Sequence, residues 1–149
     1  MTHSVKAAEY FISGYNCAQA VYMAFSDLTG EDEKAAAQVA SSFGGGIGGL
    51  REVCGAFCGL TMVVGKLYGY TDPTDGEEKK RVYGIVQSMA DKFKAELGST
   101  ICREILKAPT EGIKLSEEEE KYFKIRPCAR AVMLASRLLD EYIDANPVK

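Results

Sequence analysis

Residues 44–69 read GGGIGGLREVCGAFCGLTMVVGKLYG, and this stretch decides the fold that the sequence predicts. Its first part, the glycine loop of residues 44–49, cannot form a regular helix or strand, because glycine dominates it. The apolar run from Arg51 to Tyr68 then predicts a buried helix that ends before Gly69. Its uncharged part covers only residues 53–65, whereas a membrane span needs about 20 apolar residues. We therefore expect a central core helix and no membrane insertion.

Apolar residues at helical spacing predict further helices on both sides of this stretch. Two capping-box patterns, Asn16 with Gln19 and Asp75 with Glu78, mark helix starts. The predicted helices cover residues 5–15, 16–30, 32–43, 51–68, 75–97, 100–106, 116–123 and 127–143. No alternating strand pattern and no internal repeat interrupts them. The sequence thus predicts a single all-α domain over residues 1–149, a bundle of five main helices plus short helices.

The amino-acid composition favours some classes of protein and argues against others. The 149 residues are 46% hydrophobic and 26% charged, as in an ordinary globular domain. The net charge of −3 argues against a general nucleic-acid binder. The first residues lack the apolar segment of a secretory signal, so we expect a cytoplasmic protein with reduced thiols. His3, the single histidine, is expected in an N-terminal tail, which argues against a Cys–His nucleophile pair.

The five cysteines carry the chemical signal. None belongs to a CxxC motif, so a thioredoxin-type site is absent. Four of them fall where helices are predicted to begin, and we call these the four helix-start cysteines: Cys17, Cys54, Cys102 and Cys128. Arginines lie within three residues of the last three, namely Arg51, Arg103, Arg126 and Arg130. Although the four are far apart in sequence, a bundle brings helix starts to one end, so we expect these thiols to meet in space.

Helix starts favour anions, because unpaired N–H groups and the helix dipole point there. The sequence therefore predicts lowered thiol pKa values, with Cys54 as the most reactive thiol. Cys58 lies one turn further along the same predicted helix face and could join Cys54 in ligating a metal. The alternative for each cysteine is a plain buried core residue. Likewise, the glycine loop is either a flexible connector or a nest of N–H groups for an anion.

The segment GGGIGGLREVCGAFCG resembles the C_GCAxxG_C_C family of redox-active proteins. The resemblance rests on its CGAxxG motif, here residues 54–59, together with Cys17 before it and Cys102 and Cys128 after it. GYNCAQAV and CREIL, which surround Cys17 and Cys102, also match the family's style. The resemblance covers nearly the whole chain and implies a helical redox protein acting through the four helix-start cysteines. Cys58 is not one of the four family positions.

Three functions remain open from the sequence. The first is redox chemistry by thiols that cycle with a disulfide, which would make the protein a thiol-dependent oxidoreductase with an unknown redox partner. The second is a metal or iron–sulfur protein, because four thiolates suit zinc or an iron–sulfur cluster. The third is a non-catalytic helical interaction module whose cysteines belong to the core.

Overall fold

The computed structural model describes residues 2–107, 117 and 128–148. The structure is 71% helical, and the described residues contain no strand, which confirms the all-α prediction. The helices are α1 (His3–Ile12), α2 (Cys17–Ala24), α3 (Ser26–Thr29), α4 (Glu33–Ala40), α5 (Gly55–Tyr68), α6 (Gly76–Leu97), α7 (Cys102–Ile105) and α8 (Ala129–Ala145). A 3-10 turn at Ser41–Phe43 follows α4. Apart from residue 117, the helix predicted at 116–123 lies outside the described residues. Pro127, where the last helix is predicted to begin, also lies outside them.

Local side-chain chemistry sets several helix ends. At the start of α2, the Asn16 side chain accepts a hydrogen bond from the Gln19 N–H, and the Gln19 side chain accepts one from the Asn16 N–H. This reciprocal pair confirms the predicted capping box. At the start of α6, Asp75 accepts from the N–H of Glu78 at 3.1 Å. Gly98 then ends α6 in a left-handed conformation that suits glycine.

The central helix is α2, which corrects the prediction that the 51–68 helix is central. Six of the eight residues of α2 are buried, and the helix packs against α1, α4, α5 and α8. Gly59 explains how α5 approaches it so closely. A Cβ atom at this position would lie 2.8 Å from the carbonyl oxygen of Ala18 and 2.9 Å from the Cβ of Val21. The glycine thus offsets its helix-propensity cost of about 1 kcal/mol by permitting close packing.

The start of α5 also differs from the prediction. The helix begins at Gly55 rather than Arg51, because Arg51 closes the glycine loop with a left-handed φ of +59° and residues 52–54 then run alongside residues 100–102. There Val53 pairs with Ile101 in an antiparallel bridge. The Cys54 N–H donates to the Thr100 carbonyl at 2.8 Å, and the Cys102 N–H donates to the Glu52 carbonyl at 2.6 Å. This bridge holds the start of α5 beside the start of α7.

His3 does not lie in a tail, contrary to the expectation from sequence. It is the first residue of α1, and its ring stacks on Phe25 with centroids 4.1 Å apart. Its Nδ1 lies 2.6 Å from an Asp140 oxygen and its Nε2 lies 3.0 Å from an Asp27 oxygen. His3 therefore ties α1 to α3 and α8.

Across the part of the chain that the structure describes, no helix is both long and apolar enough to cross a membrane.

Candidate functional site

A small cavity lies where four helices begin. Its volume is about 40 Å³, which is room for a few water-sized groups. Its lining includes the four helix-start cysteines, Cys17, Cys54, Cys102 and Cys128, together with Arg51 and glycines of the glycine loop and of α5. The structure therefore brings together residues that span 111 positions of the sequence. Cys58 is buried but does not line the cavity.

Each of these cysteines lies at the start of a different helix. Cys17 is the first residue of α2, and Cys102 is the first residue of α7. Cys54 and Cys128 are the residues that immediately precede α5 and α8. The predicted helix-start placement is thus present in the structure at all four positions. None of the five cysteines forms a disulfide bond in the structure.

Two glycines allow the walls of the cavity to close in on the sulfurs. A Cβ atom at Gly55 would lie 3.2 Å from the Cβ of Cys17. At Gly46 a Cβ atom would lie 2.7 Å from the Cβ of Cys102, and equally close to the Arg51 Cα. Gly46 also has a φ of +73°, which disfavours side-chain-bearing residues. Neither position therefore accepts a side chain without displacing a neighbour.

The glycine loop is folded upon itself. The N–H groups of residues 47–52 all donate to carbonyls of residues 42–47. Those six donors are thus satisfied internally, so the N–H groups of residues 47–49 are not available for the anion nest considered from sequence. Even Ile47 and Arg51 take positive φ values, 67° and 59°, which side-chain-bearing residues adopt rarely. The loop is a hydrogen-bonded wall of the cavity rather than a flexible connector.

Two arginines place positive charge beside sulfur atoms. The Arg51 guanidinium donates from Nη1 to the Cys102 Sγ at 3.8 Å. Arg130 is only 3% exposed; burial lowers the pKa of its guanidinium, whereas negative charge on Cys128 raises it, so the two charges favour each other. Arg103 instead pairs with Glu52 at 3.2 Å and donates to the Arg51 carbonyl at 3.0 Å, so it supports the backbone. Arg126 lies outside the described residues.

The prediction of a lowered pKa at Cys54 is wrong. Burial raises the pKa of the Cys54 thiol to about 12, although backbone N–H groups of Phe57 and Ala56 lower it. The helix start therefore acts in the predicted direction, but the loss of water around the sulfur outweighs it. The neighbouring sulfurs of Cys102 and Cys58 add to the increase, because a second negative charge nearby is unfavourable.

The thiol of Cys17 behaves similarly. A hydrogen bond with Cys128 is the largest cause that raises its pKa above the ordinary value, and burial is the next. The other three helix-start cysteines also raise it through charge repulsion. The pKa of the Cys58 thiol is raised as well, chiefly by burial, and its Sγ donates to the Val53 carbonyl at 3.8 Å. Cys58 is thus held in the core behind the cavity.

The donor set can be compared with what a metal centre requires. Zinc sites and iron–sulfur clusters are held by up to four cysteine thiolates, and the helix-start cysteines supply that number. Within residues 2–107, 117 and 128–148, however, no group of three His, Cys, Asp or Glu side chains is arranged to hold a metal ion. The number of sulfur donors fits such a group, whereas their arrangement does not.

Comparison with known proteins agrees with the cysteine pattern. Residues 15–142 match the model of a family described as "Putative redox-active protein (C_GCAxxG_C_C)". The matched range contains all four helix-start cysteines and the glycine loop. Neither a curated protein nor a solved structure matches the sequence. Because the family model covers most of the chain, this protein belongs to the C_GCAxxG_C_C family.

Proposed function

We propose that this protein performs thiol–disulfide redox chemistry at the cavity that the four helix-start cysteines line. The observation that carries the proposal is their convergence: four thiols from four separate helices share a cavity of about 40 Å³. Four core cysteines without a chemical role have no need to share one cavity. The family description as redox-active supports the same conclusion.

The reaction that fits is exchange with a small-molecule or protein disulfide. Two cavity thiols give up two protons and two electrons and form one sulfur–sulfur bond. The partner disulfide accepts both electrons and both protons and leaves as two thiols, so atoms and electrons balance. In a cytoplasmic, reducing compartment, the same exchange in reverse returns the protein to its thiol form.

The burial of the thiols is compatible with a site that alternates between protonated thiols and a disulfide. Desolvation penalises a thiolate, but a protonated thiol and a disulfide are both uncharged. The resting states on either side of the reaction therefore remain stable in the cavity. The thiolate that attacks a disulfide is needed only briefly, and Arg51 and Arg130 lie where they would stabilise it.

Counting thiols tests the proposal. Reduced protein is incubated with oxidised glutathione, quenched with N-ethylmaleimide and weighed by intact mass spectrometry. We expect two fewer maleimide adducts after oxidation and full recovery with dithiothreitol. Cys58→Ser is the matched control and should lose the same two thiols, because Cys58 lies outside the cavity. A variant with all four helix-start cysteines replaced by serine should show no reversible change.

The two other functions considered from sequence are outcomes of the same experiment. If the thiol count stays constant and anaerobically purified protein contains stoichiometric zinc or iron, the cysteines are metal ligands and the proposal is wrong. If the count stays constant and no metal is present, the cysteines are core residues of an interaction module. Both results contradict thiol–disulfide chemistry.

A further inference from the structure

Among the four helix-start cysteines, exposure separates two pairs. Cys17 and Cys128 are partly exposed, whereas Cys54 and Cys102 are buried. Thiol–disulfide exchange requires a partner sulfur to approach in line with the bond that breaks, so the attacking thiol must be accessible. Cys17 and Cys128, the more exposed residues of the four, are therefore our candidates for the first contact with an external disulfide.

The two accessible cysteines also contact each other. The Cys17 thiol is hydrogen-bonded to Cys128, and both residues line the cavity. A hydrogen bond between two sulfurs brings them close to the separation from which a sulfur–sulfur bond forms. Because Cys17 holds its proton, its S–H group can donate to a negative charge on the Cys128 sulfur.

The surroundings of Cys128 favour negative charge there. The buried guanidinium of Arg130 attracts negative charge on Cys128. Cys128 also stands at the N-terminal end of α8, a helix of 17 residues whose dipole is positive at that end. Cys17 follows Asn16, whose capping box already pairs the backbone N–H groups of Asn16 and Gln19 at the start of α2. Of the two accessible thiols, Cys128 is thus better placed to act as a thiolate.

The buried pair is less suited to a direct bond. Cys54 and Cys102 lie diagonally across the bridge of Val53 with Ile101, because Cys54 faces Thr100. Diagonal neighbours of this kind are about 7–8 Å apart. A disulfide requires Cα atoms within about 4.4–6.8 Å, so this pair would need the backbone to move. The bridge and the Arg51 contact with Cys102 hold the backbone and the sulfur in place.

We propose that Cys128 is the attacking sulfur and Cys17 the resolving sulfur of the redox disulfide; this rests on the proposed function. The Cys128 thiolate attacks a glutathione-type disulfide, forms a mixed disulfide and releases one thiolate. The Cys17 proton passes to that leaving thiolate. The Cys17 sulfur then attacks the Cys128 sulfur and expels the second thiolate, which takes up the proton that Cys128 had released. The net products are the Cys17–Cys128 disulfide and two small thiols.

Peptide mapping of the oxidised full-length protein tests the pairing. After reaction with oxidised glutathione, we expect a Cys17–Cys128 disulfide in the unmodified protein and in Cys58→Ser, the matched control. In Cys17→Ser, one glutathione should remain attached to Cys128, because the resolving thiol is missing. In Cys128→Ser, glutathione attachment should be at least tenfold slower than in Cys58→Ser.

The possible contrary results distinguish between an error in the disulfide pairing, an error in the order of attack and a failure of the proposed function. A disulfide that maps to Cys54–Cys102 or to Cys17–Cys54 overturns the pairing but leaves thiol–disulfide chemistry intact. An adduct on Cys17 in Cys128→Ser that forms as fast as in the control overturns the order of attack. If no disulfide forms in the unmodified protein, the proposed function itself fails. Should a serine variant lose its helical circular dichroism spectrum, Cys17→Ala and Cys128→Ala replace it, and the map of the unmodified protein still decides the pairing.

Discussion

At the scale of single residues, burial and helix starts act against each other on the same sulfur atoms. The N–H groups at the start of α5 lower the pKa of Cys54, but desolvation raises it further and wins. The result is a thiol that stays protonated at neutral pH. Reactivity in this site therefore depends on local cations near the accessible sulfur rather than on the helix start alone.

The alkylation rate of Cys54 should keep rising to high pH. With a pKa of about 12, its thiolate fraction at pH 8 is roughly a thousandfold below that of an ordinary thiol, and it increases tenfold per pH unit. Peptide-resolved iodoacetamide labelling between pH 7 and 10.5 measures this, with free glutathione in the same tube as reference. Circular dichroism at each pH confirms that the protein is folded. A Cys54 rate that levels off near pH 9 would refute the dominance of burial.

At the scale of elements, the bridge between residues 53 and 101 and the glycine loop build the cavity wall. The bridge connects α5 to α7, and the loop lies against the Cys102 side chain at Gly46. At Gly46, where the loop contacts Cys102, this wall leaves no space for a side chain. The glycines of the loop are therefore not equivalent, although several share a positive φ.

Gly46→Ala should destabilise the protein more than Gly49→Ala does. Both positions have a left-handed φ, +73° and +76°, so each alanine costs about 1–2 kcal/mol of backbone strain. Gly49 has nothing within 4 Å of an added Cβ, whereas at Gly46 that atom would lie 2.7 Å from the Cβ of Cys102. Overpacking adds about 1–3 kcal/mol at Gly46 alone. Urea unfolding measures the free energy of unfolding of the two variants. Equal losses would show that the cavity wall shifts to accommodate the added methyl group.

The sequence predicts features of this fold that depend on near neighbours. The capping box of Asn16 with Gln19 and the stop at Gly98 act within a few residues, so their patterns are readable. The bridge of Val53 with Ile101 joins residues 48 positions apart and has no local signature. For this reason the start of α5 is misplaced by sequence reasoning. The pKa of Cys54 is likewise misjudged, because burial is a property of the folded chain.

At the scale of the whole molecule, His3 links the two ends of the chain. Its ring lies between Asp27 after α2 and Asp140 in α8, and these contacts raise its pKa above 6.5, the hydrogen bond with Asp140 most strongly. Because the folded-state pKa is raised, the protonated ring stabilises the fold fully below about pH 6.5. That contribution is lost as the pH rises through the folded-state value.

Asp140→Asn should therefore lower the melting temperature more at pH 5.5 than at pH 9. Because both carboxylates are partly exposed, we expect a loss of about 1 kcal/mol at pH 5.5, or about 3 °C. Thermal unfolding by circular dichroism at the two pH values measures this. Asp144→Asn is the control on the same helix and should show no such pH dependence. Equal losses for Asp140→Asn at both pH values would show that the His3 charge contributes nothing.

Equilibrium of the protein with glutathione redox buffers tests most directly whether the helix-start cysteines exchange electrons. The fraction of oxidised protein is measured by maleimide labelling across buffers of increasing oxidised-to-reduced ratio. The account predicts one two-electron transition, in which a tenfold change of the equilibrium constant corresponds to about 30 mV, with the same midpoint in Cys58→Ser. The account is contradicted if the helix-start cysteines stay fully reduced at every ratio, or if Cys58→Ser abolishes the transition.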